Sequence, residues 1–383
     1  MSAAGDPIPL ARPVIGDREE ELVVQTLRSG QIGIGPRVAE FEQRLGEHLG
    51  AEYVSAISSG TAALHLAVRA SGIERGDEVV TSPFSFVASA NCVLYEEARP
   101  VFCDIDPRTL DIAPEGAAAA VTERTVGLLP VHIFGYPADM AGFERLGAER
   151  GLWIVEDACE ALGAVHRDGA PVGTRGNPAT FGFYPNKQLA TGEGGALVSP
   201  DAGFKARVDS ERNQGRAPDM GWLDHDRLGF NYRLSALACA LGVAQLERLG
   251  AMLADRARAA ALYTEALAGV EGLTLPCADS EGDRRGWFVY VVQLPQAMER
   301  DAVIHALRAQ GIDSKPYLPA IHLMSFYRER FGHREGEFPV CEDVARRSLA
   351  LPFFPGIEER QIQRVAETLT GILEPATSPA RGR

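Results

Sequence analysis

Short apolar runs alternate with helix-like patterns along the chain from residue 16 to about residue 200. Brief apolar runs between turn residues predict buried strands, whereas apolar positions three and four residues apart predict helices that bury one face. The segment 152–155 (LWIV) is continuously apolar, which is typical of a strand buried on both faces of a sheet. The alternation therefore predicts an α/β fold with a mostly parallel sheet between two layers of helices.

The pattern also predicts where the individual elements lie. Predicted strands cover 53–57, 78–81, 99–103, 125–131, 152–156, 179–184 and 195–199. Predicted helices cover 17–27, 37–49, 204–211 and 234–267, and two more begin at 61 and 85. The segment 210–230 is polar, rich in Gly, Asp and Arg, and without a clear period, so we expect a long loop of the kind that often serves function.

A second, smaller unit follows a junction at 276–286. Its predicted strands cover 287–294 and 312–317, and its predicted helices cover 298–310, 339–349 and 358–372. This order of short strands and helices indicates an α+β domain. We therefore predict a large domain over 1–250 that includes an N-terminal helical arm, a small C-terminal domain over 251–374 and a disordered tail over 375–383.

Composition and charge narrow the class of protein. The net charge of −14 without any basic block argues against nucleic-acid binding and against a polybasic membrane contact. No apolar run approaches the roughly 18 residues of a membrane span, and the first residues lack a signal-peptide pattern. The six cysteines are scattered without a C-x-x-C, which predicts free thiols in a reducing cytosol and no metal site. We expect a cytoplasmic protein.

Lysine is scarce, so chemistry that needs an amine has few candidates. Of the 38 basic residues only Lys187, Lys205 and Lys315 are lysines. Lys187 lies between an aromatic strand and a glycine-rich turn, where partial desolvation makes an amine a usable nucleophile. A solvated loop lysine is the alternative, and the surrounding residues favour the nucleophile.

Three other segments follow predicted strands. The segment 58–64 (SSGTAAL) opens a helix whose N–H groups attract anions, although the segment taken alone favours an ordinary helix cap. Asp157 follows the buried strand at the sheet edge where α/β folds bind ligands, or it caps a helix. Phe86 stacks on a flat ring or belongs to the core.

Read together, these features suit pyridoxal phosphate. The lysine forms a Schiff base with the cofactor, and the carboxylate keeps the pyridine nitrogen protonated so that the ring withdraws electrons. G-x-G-x-x-G, G-x-S-x-G and H-E-x-x-H are all missing from the sequence. Their absence disfavours a nicotinamide enzyme, a serine hydrolase and a zinc protease.

The chain resembles the DegT/StrS-type (DnrJ/EryC-like) sugar aminotransferases, which are fold type I enzymes dependent on pyridoxal phosphate. The resemblance extends over about residues 8–372. The motifs that carry it are, in order, 35–42 (GPRVAEFE), 59–64 (SGTAAL), 85–88 (SFVA), 130–135 (PVHIFG), 156–158 (EDA), 184–187 (YPNK) and 231–233 (NYR). Each motif alone is weak, whereas their joint order is specific.

The resemblance implies a role for each matching residue. Lys187 forms the Schiff base and moves the proton, Asp157 pairs with the pyridine nitrogen, and Phe86 stacks on the ring. The other implied cofactor contacts within the chain are Gly60, Thr61, Ala62, Glu160 and Gly182. The resemblance also implies a homodimer with shared active sites, in which Asn231 contacts the cofactor phosphate of the partner subunit. Two of these depart from the usual pattern: the family often has glutamine or histidine where this chain has Glu160, and serine where it has Gly182.

The resemblance also implies a reaction. We predict that glutamate gives its amino group, leaving 2-oxoglutarate, and that a nucleotide-linked 4-keto-6-deoxy hexose receives it to become an amino sugar. The expected substrate contacts are Glu193, Arg233, Lys315, Tyr317 and His322. From their charge alone, we also expect Arg212 and Arg216 to contact the phosphates of the nucleotide or the carboxylate of the amino donor.

Two other functions remain open at this point. One is an aminocyclitol aminotransferase that acts on a keto-inositol type of ketone, and the other is a non-catalytic regulatory protein that binds pyridoxal phosphate. Sugar dehydratases of the same fold replace the lysine with histidine, so Lys187 argues against that branch.

Overall fold

The computed structural model describes residues 6–217 and 224–374 of the chain, so the predicted tail lies outside the described residues. Its helices are α1 (Asp17–Ser29), α2 (Pro36–Leu49), α3 (Gly60–Ala70), α4 (Ala88–Leu94), α5 (Pro114–Ala120), α6 (Met140–Arg150), α7 (Ala202–Glu211), α8 (Ala236–Ala266), α9 (Arg300–Ala309), α10 (Ser325–Phe331), α11 (Pro339–Arg347) and α12 (Glu359–Leu373). Its strands are β1 (Val54–Ile57), β2 (Glu78–Thr81), β3 (Arg99–Phe102), β4 (Thr125–Leu129), β5 (Trp153–Ile154), β6 (Glu156–Asp157), β7 (Ala179–Gly182), β8 (Gly195–Val198), β9 (Tyr290–Gln293), β10 (Lys315–Pro316) and β11 (Ser348–Leu351).

The strands β1 to β8 form one central sheet in two halves. One half has the order β3-β2-β4-β5 and is parallel throughout, and the other has the order β1-β8-β7-β6. One strand was predicted over 152–156. The structure has two short strands there, and they join the halves because β5 pairs with β4 while β6 pairs with β7. Only β8 runs antiparallel to its two neighbours among the described strands of this sheet. The predicted mostly parallel sheet is therefore confirmed.

Helices cover both faces of the central sheet, as predicted. Ala196 and Val198 pack into the same core cluster as Phe41 of α2. Leu197, which lies between them on β8, packs into a separate cluster with Leu64 of α3. Since successive side chains of a strand point to opposite faces, the two clusters lie on opposite sides of the sheet.

A smaller antiparallel sheet, β10-β11-β9, follows in the C-terminal part of the chain. Its apolar side packs with α8, α9 and α12 in a core that includes Tyr263, Leu349 and Ile362. The helix predicted over 339–349 ends at Arg347, because Ser348–Leu351 forms the central strand of this sheet. The proposed domain boundary at residue 250 falls inside α8 and stays a prediction.

Helix α8 has 31 residues and connects the two regions. It packs against α1 and α2 and also against α12. By length and composition it is apolar enough to cross a membrane, whereas no apolar run of that length was expected from the sequence. Half of its most apolar window is buried inside the fold, and core helices of globular proteins have the same property.

Candidate active site

A cavity of about 460 Å³ lies at one edge of the central sheet. Parallel strands place their carboxyl ends at the same edge, and the residues that follow β1, β2, β6 and β7 all line this cavity. Strand β8 runs the other way, so the residues just before it, Glu193 and Gly194, reach the same place. The predicted site residues that line the cavity are Gly60, Thr61, Phe86, Asp157, Glu160, Gly182, Lys187, Glu193 and Tyr317.

Asp157 is 5% exposed, and both of its carboxylate oxygens have a partner. Ser89 of α4 donates its hydroxyl to Oδ2 at 2.6 Å, and the backbone N–H of Cys159 donates to Oδ1 at 3.1 Å. A carboxylate oxygen accepts more than one hydrogen bond, so each retains capacity for a ligand. The two donors therefore fix the direction of a carboxylate that can meet a cationic group.

Lys187 reaches the cavity with only 14% of its side chain exposed. Its Nζ lies 3.3 Å from Oε1 of Glu160 and 3.9 Å from the centre of the Phe288 ring. Glu160 is the only carboxylate within ion-pairing distance of this amine among the described residues. Lys187 is thus an amine held between a carboxylate and an aromatic face rather than a solvated loop residue.

Glu160 is buried, and burial raises the pKa of its carboxyl group. The positive charge of Lys187 and a hydrogen bond of 3.1 Å from the Phe134 N–H oppose that rise in pKa, and they do not cancel it. The carboxyl group of Glu160 therefore keeps its proton to a higher pH than an ordinary glutamate does, and it lies 3.3 Å from the Lys187 amine. A carboxyl group in this place can exchange a proton with the neighbouring amine.

The start of α3 leaves backbone donors at the cavity. Ser59 caps the helix by accepting the Ala62 N–H at 3.1 Å, whereas Gly60 and Thr61 line the cavity. The first N–H groups of a helix have no partner inside the helix and favour an anion. Space is tight here, since a Cβ on Gly60 would lie 2.8 Å from the Cys159 sulfur. A phosphate fits this corner in size and charge.

Phe86 is 59% exposed, so it does not belong to the core. An aromatic side chain that lies open at a cavity can cover the face of a flat ring.

Tyr317 lines the cavity and receives a hydrogen bond of 3.3 Å from the amide of Asn186, next to Lys187.

Five predicted site residues, Arg233 among them, lie outside the cavity of their own chain. Ala62 is buried as part of the helix cap, and Asn231 is exposed away from the cavity lining. Lys315 is exposed at the start of β10. His322 is fully buried and pairs with Glu342 at 3.0 Å, so the structure does not bring it to the cavity.

Two of the three predicted arginines, Arg212 and Arg233, have side-chain partners within the chain. Arg212 contacts Glu42 at 2.6 Å, and Arg233 donates to Asn213 and Gln214. Arg233 lines a neighbouring groove of about 500 Å³ together with Glu193, which also lines the cavity. The segment 218–223 of the predicted loop lies outside the described residues.

Several contacts of the site residues were not predicted. Ser89, which orients Asp157, lies three residues after Phe86, and both fall in the helix that was predicted to begin at 85, so that predicted helix was the available signal. Phe288 is a hundred residues from Lys187 in sequence, and no local pattern connects them. Cys159 also lines the cavity, and burial raises the pKa of its thiol well above the usual range, so it does not compete as a nucleophile.

The described residues fit pyridoxal phosphate in kind and in place. The cavity combines an amine, a fixed carboxylate, an open aromatic ring and the N-terminus of a helix at the edge of a mostly parallel sheet. A fold of this type with these groups defines an aminotransferase of fold type I that depends on pyridoxal phosphate. The chain belongs to the DegT/DnrJ/EryC1/StrS aminotransferase family, whose sequence model matches residues 13–370.

Individual relatives agree with this assignment. The GDP-perosamine synthase of Caulobacter vibrioides is 35% identical over 370 residues, which cover 96% of this chain and 98% of that protein. The solved structure of DesV from S. venezuelae matches with a TM-score of 0.90 at 31% identity, covering 97% of this chain and 99% of DesV. DesI, solved in the presence of its TDP-sugar product, matches with a TM-score of 0.88 at 31% identity and covers 96% and 93% of the two chains. The chain is a sugar aminotransferase.

Proposed function

We propose that this sugar aminotransferase moves the amino group of glutamate to a nucleotide-linked 4-keto-6-deoxy hexose. The observation that carries the proposal is the buried amine of Lys187 in the same cavity as the oriented carboxylate of Asp157. The name of the GDP-perosamine synthase and the TDP-sugar product of DesI support a nucleotide-linked sugar as the substrate class.

Pyridoxal phosphate, when bound, supplies a carbonyl carbon that joins amines and a ring that withdraws electrons from them. In the proposal Asp157 holds a positive charge at the ring nitrogen, and Ser89 keeps that carboxylate aligned. The N–H groups at the start of α3 and the Thr61 side chain hold the phosphate. Phe86 covers one face of the ring and excludes water from it.

Lys187 moves a proton in both halves of the reaction. When the cofactor is bound, the amine of Lys187 would accept the proton that leaves the donor carbon in the first half, and it would donate a proton to the former ketone carbon of the sugar in the second half. Glu160, 3.3 Å away, holds or releases the proton that the amine must lose to act as a base. The low exposure of both side chains keeps this proton from exchanging freely with water.

The substrate specificity is tested by incubating the purified protein with glutamate and a panel of keto compounds. We expect amine formation with GDP- or TDP-linked 4-keto-6-deoxy hexoses. Amine formation with keto-inositols alone would instead assign an aminocyclitol aminotransferase. A protein that binds the cofactor and transfers no amino group from glutamate to any member of the panel would be the regulatory alternative.

We also propose a homodimer in which each subunit completes the other's site. Asn231 is exposed and does not line the cavity of its own chain, so a contact to a cofactor would have to be made in the partner subunit. Arg233 lines a groove that shares Glu193 with the cavity. Leu27, Ile32 and Ile34 are large apolar side chains between 47% and 63% exposed, as expected of an uncovered interface. Sedimentation as a monomer at micromolar concentration would contradict this arrangement.

Replacing Glu160 with Gln tests the proton pair. Protonation of Glu160 removes the acceptor beside Lys187, so the wild-type rate should fall as pH decreases through the raised pKa of this carboxyl. Glu160→Gln should lower the rate at neutral pH about tenfold and remove that acid limb. The measurement is the pH profile of the glutamate half-reaction. The control is Glu193→Gln, because Glu193 is a cavity carboxylate without a described contact to Lys187, and this variant should keep the acid limb of the profile. An unchanged acid limb in Glu160→Gln would refute the role of Glu160 as the proton acceptor.

Replacing Gly182 with Ser tests the phosphate corner. The three atoms nearest to a Cβ at Gly182 would be atoms of Cys159 at 3.5–3.6 Å, which is ordinary contact, so the side chain can be accommodated. One added hydroxyl contributes about 1 kcal/mol, and the dissociation constant of the cofactor should therefore fall about fivefold. The measurement is an absorbance titration of cofactor-free protein. Gly182→Ala adds the Cβ without the hydroxyl and should bind no more tightly than the wild type.

A further inference from the structure

We infer that Arg256 of α8 is a positioning residue that holds the Lys187 amine against its aromatic neighbour. The inference rests on the proposed catalytic role of Lys187 and concerns a residue that lies outside the cavity lining. Arg256 is 2% exposed. Among residues 6–217 and 224–374 it has no carboxylate partner, which is unusual for a buried cation.

The guanidinium of Arg256 is instead bound by backbone carbonyl groups. Nη2 donates to the carbonyl oxygen of Lys187 at 3.0 Å and to that of Asn186 at 3.4 Å. Nη1 donates to the carbonyl oxygen of Phe288 at 2.9 Å. One rigid planar group therefore connects two backbone segments that are remote in sequence.

These two segments carry the two groups that meet at the amine. The ring of Phe288 lies 3.9 Å from Nζ of Lys187, which is close enough for a cation–π contact. Arg256 sets the distance between the backbone of Lys187 and the backbone of Phe288, and so it sets where the amine lies relative to the ring. Without it, three carbonyl oxygens lose this donor and the loop that carries Lys187 gains freedom.

The surroundings of Arg256 explain how a lone cation is tolerated there. Its guanidinium carbon lies 5.6 Å from the centre of the Phe353 ring, so an aromatic face covers it. Burial lowers the pKa of Arg256 to about 10, and at that value it remains charged at neutral pH. Lysine offers a single point charge and no fork, so it can replace only part of the contact to the three carbonyls.

The test compares Arg256→Gln and Arg256→Lys with Arg258→Gln. Arg258 lies on the same helix and donates to the Ile357 carbonyl at 3.1 Å, but its side chain is 46% exposed and it does not contact Lys187. Retention of fold is checked by circular dichroism and thermal unfolding for each variant. The full chain is used throughout.

The first readout is made on cofactor-free protein. With only three lysines, a chain labelled with carbon-13 at the lysine Cε gives three signals, and Lys187→Arg identifies the one that belongs to Lys187. Because this side chain lies over the Phe288 ring, its signal should be displaced upfield of those of Lys205 and Lys315. We expect Arg256→Gln to move the Lys187 signal at least half of the way toward the signals of the other two lysines. Arg256→Lys should move it less, and Arg258→Gln should leave it in place.

The second readout is the reaction of the holoenzyme with glutamate. Misplacement of the amine should lower kcat about 10- to 100-fold in Arg256→Gln while KM changes less than about threefold, with partial recovery in Arg256→Lys. A folded Arg256→Gln protein with the wild-type signal and kcat would overturn the inference. If Arg256→Gln does not fold, a folded Arg256→Lys protein with the wild-type signal and kcat would overturn the inference instead. Failure of both variants to fold would also overturn it, because Arg256 would then serve the fold as a whole. The lysine signal needs no sugar or donor, so it is independent of the proposed reaction.

Discussion

Lys187→Ala is expected to abolish amino transfer, with a loss of at least about 10³-fold, because the chain loses both its amine nucleophile and its proton carrier. The cavity offers no second lysine, since Lys205 and Lys315 lie elsewhere and do not line it. The measurement is the rate of 2-oxoglutarate formation from glutamate. Borohydride reduction of the wild-type holoenzyme should in addition fix the cofactor to the peptide that contains Lys187.

The matched control for this variant is Lys205→Ala. Lys205 forms an ion pair with Asp209 at 2.7 Å on α7 and does not reach the cavity. Its removal should leave the rate unchanged, because a surface ion pair of this kind contributes at most about 1 kcal/mol to stability. Retained activity in Lys187→Ala, or attachment of the cofactor to another peptide, would overturn the assigned role.

Asp157→Asn is the second large effect that we expect. Asparagine keeps the shape and removes the negative charge that the ring nitrogen needs, so the rate of the glutamate half-reaction should fall about 10²- to 10³-fold. The cofactor should still bind through the phosphate corner and Lys187. The half-reaction is measured by stopped-flow absorbance, which separates the chemical step from binding.

Ser89→Ala provides the comparison for Asp157. It keeps the charge and removes only the 2.6 Å hydrogen bond that orients the carboxylate, so its loss should be smaller, about tenfold. Equal rates for Asp157→Asn and the wild type would mean that the charge is not used. A larger loss in Ser89→Ala than in Asp157→Asn would mean that orientation matters more than charge.

Features encoded by short segments could be predicted from the sequence. The cavity residues 59–61, 157 and 187 each end or follow a strand, or open a helix. The sheet type followed from the alternation of strands and helices, and the structure confirms it. Local patterns are sufficient for these features because parallel strands bring their carboxyl ends together whatever the loops do.

Contacts between remote segments could not be predicted. Arg256 and the carbonyl of Lys187 are 69 residues apart, and no periodicity connects a helix position with a loop carbonyl. The first two residues of β11, Ser348 and Leu349, were predicted as the end of a helix because they continue the apolar pattern of α11. Pairing with β9 and β10 decides their conformation instead. His322 was predicted from a motif, and its burial beside Glu342 depends on tertiary packing.

The reversed strand β8 has a consequence for biosynthesis. Val54 of β1 pairs with Val198 of β8, so the first strand of the sheet finds its neighbour only after all the other strands of that sheet have been translated. Until then the start of α3 and the loop that carries Lys187 are not held at a fixed distance. The long chain segment between β1 and β8 must close before these two parts of the cavity can meet. Phe288 and Arg256 leave the ribosome later still. A nascent chain should therefore be unable to capture its cofactor until most of its length has emerged.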